Sequence, residues 1–195
     1  QPVRFLPPIY HMLNMPGSQS PQYFIDKKEY NMKDQEDILV INPGSTTTKI
    51  AIFRSCEKGS GMQETDGHTS ASQDQNTSQL EQLFEETITH DPEQIKAMGG
   101  IFNQLEFREN LIRDTVAGKG YDLGGISAAV GRGGMIIGLH GGGYIVTPEL
   151  CSAMKDPANP PHASSLGAQL AYDIATPLGV PSYIYDSTMG CELKE

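Results

Sequence analysis

Residues 42–49, Asn-Pro-Gly-Ser-Thr-Thr-Thr-Lys, combine the residue types that can hold a phosphate group. Gly44 lets the backbone approach an anion closely, the hydroxyls that follow can donate to phosphate oxygens, and Lys49 supplies a positive charge. Apolar runs at 38–41 and 50–53 flank this segment, which predicts a strand, a phosphate-facing turn and a second strand. Asn, Pro, Gly, Ser and Thr are also the commonest turn residues, so an ordinary hairpin turn remains an equal alternative on these residues alone.

Three further segments contain residues suited to substrate chemistry. They are Val-Gly-Arg-Gly-Gly at 130–134, His-Ala-Ser-Ser-Leu-Gly-Ala at 162–168 and Tyr-Ile-Tyr-Asp at 183–186. With the 42–49 turn, and with segments 84–88 and 104–108, they make the chain resemble the butyrate kinase branch of the acetate kinase family. Several motifs in one order are more specific than any single motif. The resemblance implies a ribonuclease-H-like α/β fold, a mixed sheet with flanking helices, as the first of two domains; sugar kinases, actin and chaperone ATPases share this fold.

The resemblance also implies which residues of the 42–49 turn bind the phosphates of ATP. The family's first phosphate motif matches this chain at Asn42, Ser45, Thr47 and Lys49, with Gly44 as the position of close approach. Alternate side chains of an extended segment lie on one face, so the side chains at 45, 47 and 49 are expected to point together. Thr46 and Thr48 are then expected to be structural.

Three residues outside the turn are implied to act on the substrate or on the transferred phosphoryl group. Arg132 lies between glycines and can present a planar guanidinium to a carboxylate or phosphoryl group, so it is expected to bind substrate. His162 resembles the family histidine that donates to the phosphoryl group, and Asp186 resembles the aspartate that positions Mg²⁺ or the acceptor. A surface arginine, a helix-capping histidine and a turn aspartate are the structural alternatives.

The predicted reaction transfers the γ-phosphoryl group of ATP, with Mg²⁺, to a short carboxylic acid, giving ADP and an acyl phosphate. Acetate-specific members have His-Arg-x-x-His-Gly-Gly around the arginine, and both histidines are missing here, which indicates butyrate or a branched-chain acid. A truncated domain that binds phosphate without catalysis is one alternative. A more distant one is the ATPase that activates 2-hydroxyacyl-CoA dehydratases, which normally has Asp at the position of Asn42 and cysteines for an iron–sulfur cluster.

Composition argues against several other classes of protein. The chain has 24 acidic and 14 basic residues and a net charge of −10, so it lacks the basic surface of a nucleic-acid binder. Cys56, Cys151 and Cys191 have no C-x-x-C spacing, which argues against a disulfide framework or a structural zinc site. No apolar stretch approaches the length of a membrane span, and no signal peptide is visible. A cytoplasmic protein with a small carboxylate substrate, no nucleic acid and no membrane partner is predicted.

The predicted organisation is an extension, one kinase domain and a missing second domain. Residues 1–37 are expected to be a poorly ordered extension, and residues 38–190 the first kinase domain. Residues 55–82 are expected to be a flexible insertion, because their polar composition cannot bury enough surface to order them. The resembling kinases are much longer, so the chain is expected to be an inactive fragment whose parent forms a homodimer or larger homo-oligomer.

Local patterns predict the elements that position these residues. Strands are expected at 81–90, up to Val130, at 144–147 and at 183–185. Pro92 is expected to open a helix, and a second amphipathic helix from Ala163 should be ended early by Pro177. A helical face packed on the sheet is expected from Ile95, Met98, Phe102, Leu105, Leu111, Ile112 and Val116.

Overall fold

The computed structural model describes residues 35–56, 79–137, 139 and 142–185. These residues form six strands and four helices. In chain order they are β1 (Gln35–Pro43), β2 (Thr47–Cys56), β3 (Gln79–Thr89), α1 (Pro92–Ala97), α2 (Leu105–Gly118), β4 (Ile126–Arg132), β5 (Gly143–Ile145), α3 (Pro148–Met154), α4 (Leu166–Ala175) and β6 (Ser182–Tyr185).

The strands form one mixed sheet in the order β3-β2-β1-β4-β6-β5. Strands β1, β2 and β3 are successive antiparallel partners, whereas β4 lies parallel to β1 and β6 parallel to β4. Strand β5 forms the far edge, antiparallel to β6. An antiparallel meander extended by parallel strands that helices connect is the ribonuclease-H-like arrangement, so the predicted mixed α/β fold with flanking helices is confirmed.

Helices α2 and α4 cover one face of this sheet. Along β1, Asp37, Leu39 and Ile41 are buried, whereas the residues between them are only half-buried, as the two-residue period of a strand requires. The helices bury Ile112, Val116, Leu166, Leu170 and Ile174 against this face. Each such aliphatic side chain contributes about 1.5–3 kcal/mol when fully buried, so this layer is a main source of stability.

The ends of two helices follow the capping and proline signals in the sequence. The side chain of Asp91 accepts a 3.0 Å hydrogen bond from the N–H of Glu93, and Pro92 is the first residue of α1. Helix α4 ends at Ala175, and Pro177 lies in the 3-10 turn that follows, which confirms the predicted early end. Among the described residues, no helix is both long and apolar enough to cross a membrane.

The predicted helical face is only partly confirmed. Ile112 and Val116 are fully buried, but α1 buries none of its residues and leaves Ile95 and Met98 half-exposed. Gly99 follows α1 with a left-handed φ of 78°, which ends the helix and redirects the chain before α2. The apolar residues that recur at helical spacing in the sequence therefore lie in two separate helices, α1 and α2, and in the connection between them.

The predicted extension 1–37 was placed too far along the chain, because β1 starts at Gln35. Asp37 is only 8% exposed and accepts two 2.7 Å hydrogen bonds from Arg54 and one of 2.5 Å from Tyr121. The guanidinium of Arg54 lowers the pKa of this carboxyl, so a charged residue can occupy the buried face. Residues 1–34 lie outside the described residues.

The bounds of the predicted insertion 55–82 also need correction. Strand β2 continues to Cys56 and β3 begins at Gln79, and these two residues pair with each other. Backbone hydrogen bonds extend the ladder regardless of how polar the side chains are, which is why composition misplaced the bounds. Residues 57–78, where the rest of this prediction falls, lie outside the described residues.

Candidate functional site

The 42–49 turn connects the carboxyl end of β1 to the start of β2. The N–H of Gly44 donates a 2.8 Å hydrogen bond to the carbonyl oxygen of Thr47, which closes the turn. A Cβ at Gly44 would lie 3.0 Å from the hydroxyl oxygen of Thr47, tighter than most real contacts, so glycine suits this position. Ser45 and Thr46 at the tip are exposed. The turn thus presents hydroxyls and backbone groups to solvent.

Side chains after the tip alternate between the core and the opposite side. Thr48 and Ile50 are completely buried, whereas Lys49 is exposed and Thr47 half-buried. This alternation agrees with the expected common direction of positions 47 and 49, and it makes Thr48 structural as predicted. Asn42 is half-buried and pairs with Lys49 across the β1–β2 ladder.

The ammonium group of Lys49 lies 3.1 Å from a carboxylate oxygen of Glu85. The two side chains are 50% and 41% exposed. An ion pair with this exposure contributes at most about 1 kcal/mol. A multiply charged phosphate can therefore compete with Glu85 for this cation.

A buried arginine supports the turn from inside the fold, and no pattern in the sequence indicates it. Arg108 in α2 is 0% exposed and donates to the carbonyl oxygens of Ser45 and Thr47, each at 3.0 Å. It also donates at 2.8 Å to the hydroxyl of Thr48, which contacts Nε2 of His90 at 2.8 Å. The only sequence signal is the segment 104–108, which contributes to the family resemblance and carries no predicted site residue.

His90 is another buried polar residue beneath the turn. Its backbone N–H donates a 2.8 Å hydrogen bond to the carbonyl oxygen of Thr46, and its ring is 2% exposed. Burial, and next the positive charge of Arg108, lower the pKa of His90 to about 4. The ring is therefore neutral at physiological pH, so its Nε2 can accept a hydrogen bond from the Thr48 hydroxyl.

The parallel strands bring the other candidate residues to the same edge of the sheet. Ile41 in β1 pairs with Gly131 in β4, which pairs in turn with Ile184 in β6. Because these three strands are parallel, the residues that follow these positions lie at the same edge of the sheet, at the carboxyl ends of the strands. The 42–49 turn and Arg132 share this edge, where ligands bind in open α/β sheets. Asp186 follows the last residue of β6 but lies outside the described residues.

Arg132 is the last residue of β4, and backbone contacts fix both of its neighbours. A Cβ at Gly131 would lie 2.1 Å from the carbonyl oxygen of Gly167, so the start of α4 packs directly on the strand backbone. The N–H of Gly133 donates a 2.9 Å hydrogen bond to the carbonyl oxygen of Tyr185. The side chain of Arg132 is exposed. A fixed backbone with an exposed guanidinium suits recognition of a carboxylate or phosphoryl group.

The same close packing brings the 162–168 segment to residues 130–134, the glycine-rich turn around Arg132, here called the arginine turn. A Cβ at Gly134 would lie 2.6 Å from the Cα of Ser165, and the N–H of Met135 donates to the Ser165 hydroxyl at 3.3 Å. The glycines of both segments thus permit close approach of two backbones. Arg132 and His162 consequently belong to segments that touch each other.

His162 caps the 3-10 turn that precedes α4. Its Nδ1 accepts a 3.1 Å hydrogen bond from the N–H of Ser164 and lies 2.7 Å from the Ser164 hydroxyl. Because a backbone N–H can only donate, Nδ1 is the acceptor and the neutral ring carries its proton on Nε2. The side chain is exposed, so the capping role and a donor role for Nε2 are compatible.

The described part of this edge fits an anion better than a metal ion. It supplies Lys49, Arg132, the N–H of the His162 ring and the exposed hydroxyls of the turn. Within the described residues, no group of three or more His, Cys, Asp or Glu side chains could hold a metal ion. The metal role predicted for Asp186 stays a prediction.

Comparison with known proteins identifies probable butyrate kinases among the relatives of this chain. No family model matches the chain. A probable butyrate kinase of Clostridium botulinum (strain Eklund 17B / Type B) is 35% identical over 158 residues, 81% of this chain and 38% of the relative. One of Listeria monocytogenes serotype 4a (strain HCC23) is 33% identical over 159 residues, 82% of this chain and 38% of the relative.

Among solved structures, an acetate kinase of Porphyromonas gingivalis matches 77% of this chain and 37% of its own, with 16% identity and a TM-score of 0.41. The chain spans well under half the length of the curated relatives it matches. Over these 158 residues the chain is homologous to probable butyrate kinases.

Proposed function

We propose that this chain is part of a carboxylate kinase that transfers the γ-phosphoryl group of ATP to butyrate or a branched-chain acid. The observation that carries the proposal is the homology to probable butyrate kinases over 81% of the chain. The register of β1, β4 and β6 supports it, because it gathers the cationic residues at one edge.

Each cationic or donor group has a role in this reaction. The exposed hydroxyls of the turn and Lys49 would hold the donor phosphates, and Arg132 would hold the acceptor carboxylate or the moving phosphoryl group. The Nε2–H of His162 would donate to an oxygen of that phosphoryl group. These groups favour the transition state because they are already aimed at the place where negative charge develops.

The chemical step requires no covalent intermediate on the protein. A carboxylate oxygen of the acid attacks the γ-phosphorus, the bond from that phosphorus to the bridging oxygen breaks, and ADP leaves with the electron pair. Mg²⁺ bound to the nucleotide would neutralise part of the phosphate charge. Since the described residues offer no metal cluster, no step is assigned to a metal held by them.

A panel of acids tests the proposal. The complete natural protein is incubated with ATP, Mg²⁺ and acetate, propionate, butyrate or isobutyrate, and the acyl phosphate is trapped as a hydroxamate. We expect butyrate or isobutyrate to give the fastest signal, and Lys49→Ala to reduce it strongly. Absence of acyl phosphate with every acid would overturn the proposal.

Other outcomes of the same assay identify the two alternatives. ATP hydrolysis without acyl phosphate would favour an activator-type ATPase, and nucleotide binding without turnover would favour a non-catalytic phosphate-binding domain. The 195-residue chain alone is expected to give no acyl phosphate, because it corresponds to only 38% of the relatives' length. We further infer a cytoplasmic homodimer or larger homo-oligomer for the complete protein, which light scattering after size exclusion measures.

A further inference from the structure

Arg108 is a fully buried charged side chain whose acceptors are all neutral within the described part of the chain. Its Nε and one terminal nitrogen donate to Oε1 of Gln104 at 3.1 and 2.9 Å. Its remaining bonds reach the carbonyl oxygens of Ser45 and Thr47 and the hydroxyl of Thr48. Burying a charge is costly unless it is well hydrogen-bonded, so this arrangement requires a reason beyond helix packing.

Those bonds fix the direction of the backbone at the tip of the turn. The peptide bonds are trans, and a trans peptide directs each carbonyl opposite to the N–H of the next residue. Because Arg108 holds the Ser45 oxygen toward the core, the N–H of Thr46 points away from the core. The carbonyl of Thr46 is itself held by the N–H of His90.

The backbone N–H groups at the tip of the turn are available to bind a ligand. Within the described residues, the N–H groups of Ser45 and Thr46 donate to no protein acceptor, although the carbonyls of both residues are bonded. Both residues are exposed. Consecutive unpaired N–H groups at a turn are the usual backbone means of holding an anion.

The charge of Arg108 acts in the same direction. Burial lowers the pKa of Arg108 to about 10, so the guanidinium stays protonated at neutral pH. Since its acceptors are neutral, the positive charge is not cancelled within the turn. An anion at the tip therefore lies above a cation that water does not reach.

We propose that Arg108 is a positioning residue for the 42–49 turn, holding the carbonyls of Ser45 and Thr47 inward so that the N–H of Thr46, next to that of Ser45, binds a phosphate oxygen. The identity of the ligand rests on the proposed function, whereas the positioning itself does not. Gln104 contributes by aligning the guanidinium with two accepted hydrogen bonds.

The test compares Arg108→Lys with Arg54→Lys in the 195-residue chain. Lysine keeps the positive charge but cannot reach two carbonyls with a planar fork. Arg54 is the matched control, because it makes a two-bond contact with Asp37 at the opposite end of the same hairpin. Amide ¹⁵N relaxation measures the order of Ser45 and Thr46, and titrations with inorganic phosphate and with ATP measure affinity.

We expect the order parameters of Ser45 and Thr46 to fall in Arg108→Lys from about 0.85 to below about 0.6. Phosphate and ATP should bind on the order of tenfold more weakly, a loss of about 1.4 kcal/mol. Arg54→Lys should lower the melting temperature without either change. If Arg108→Lys fails to fold, Gln104→Ala leaves the charge in place and should loosen the same two amides.

Two results would overturn the positioning role. One is an ordered turn in Arg108→Lys, or in Gln104→Ala where the lysine variant does not fold. The other is equal loosening of the turn by Arg54→Lys. Failure of the proposed function is distinct: the wild-type chain would then bind neither phosphate nor ATP, while Arg108→Lys would still loosen the turn.

Discussion

Substituting Gly131 by alanine should destabilise the chain more than any change of similar size on its surface. The added Cβ would lie 2.1 Å from the carbonyl oxygen of Gly167 and 2.4 Å from its carbon, whereas ordinary contact begins at 3.4 Å. Strand β4 and helix α4 must then separate by more than an ångström, and no flexible side chain can absorb the shift. Overpacking costs up to about 3 kcal/mol even where side chains can adjust, so we expect about that loss.

Thermal unfolding measures this effect directly. At about 2–4 °C per kcal/mol, a loss of about 3 kcal/mol lowers the melting temperature by about 6–12 °C. Gly118→Ala is the control, because a Cβ there meets nothing within 4 Å. The control should be neutral or stabilising by about 0.4–1 kcal/mol. Equal melting temperatures for the two variants would refute the claim that backbone contact at Gly131 holds the arginine turn against α4.

Three other outcomes are expected. Because the pKa of His90 is lowered to about 4, the folded chain resists protonation of this ring. The free energy of unfolding should therefore be at its full value above about pH 6.5 and fall by roughly 3 kcal/mol toward pH 4. Thermal unfolding measures this fall, which His90→Gln should flatten. Arg132→Ala in the complete enzyme should lower kcat by roughly a hundredfold to a thousandfold, with partial recovery in Arg132→Lys, and unchanged steady-state kinetics would contradict its role. Replacing residues 57–78 by a short turn should leave the melting temperature nearly unchanged, since Cys56 already pairs with Gln79, and a large drop would contradict this.

The elements that carry the site could be predicted because their signals are local. The 42–49 turn lies between two apolar runs, and the observed strands β1 and β2 meet there. Pro92 and Pro177 act within one helical turn of their own positions, so the start of α1 and the end of α4 were readable. The candidate residues at the strand ends likewise lie next to their strands in the sequence, as Arg132 does at the end of β4.

The interactions that fix the site in space had no local signal. Arg108 is the kind of residue least often found buried, and its acceptors at Ser45 and Thr47 are more than sixty positions away in the chain. The pair of Asp37 and Arg54 likewise joins residues that are far apart in the sequence and has no local signal. Gly131 was visible as part of a glycine-rich turn, but only the structure shows that its missing side chain makes room for α4.

The buried arginine also explains how an acidic chain could bind phosphate at the proposed site. A net charge of −10 opposes the approach of ATP at long range, but surface charges are screened beyond about 8 Å at physiological salt. Within that distance the ligand meets Lys49, whose exposed pair with Glu85 is weak, and the charge of Arg108, which neutral acceptors leave uncancelled. In the proposed site, short-range attraction at the turn would therefore offset the repulsion of the surface. Placing one cation inside the fold achieves this without a basic surface that would attract nucleic acids.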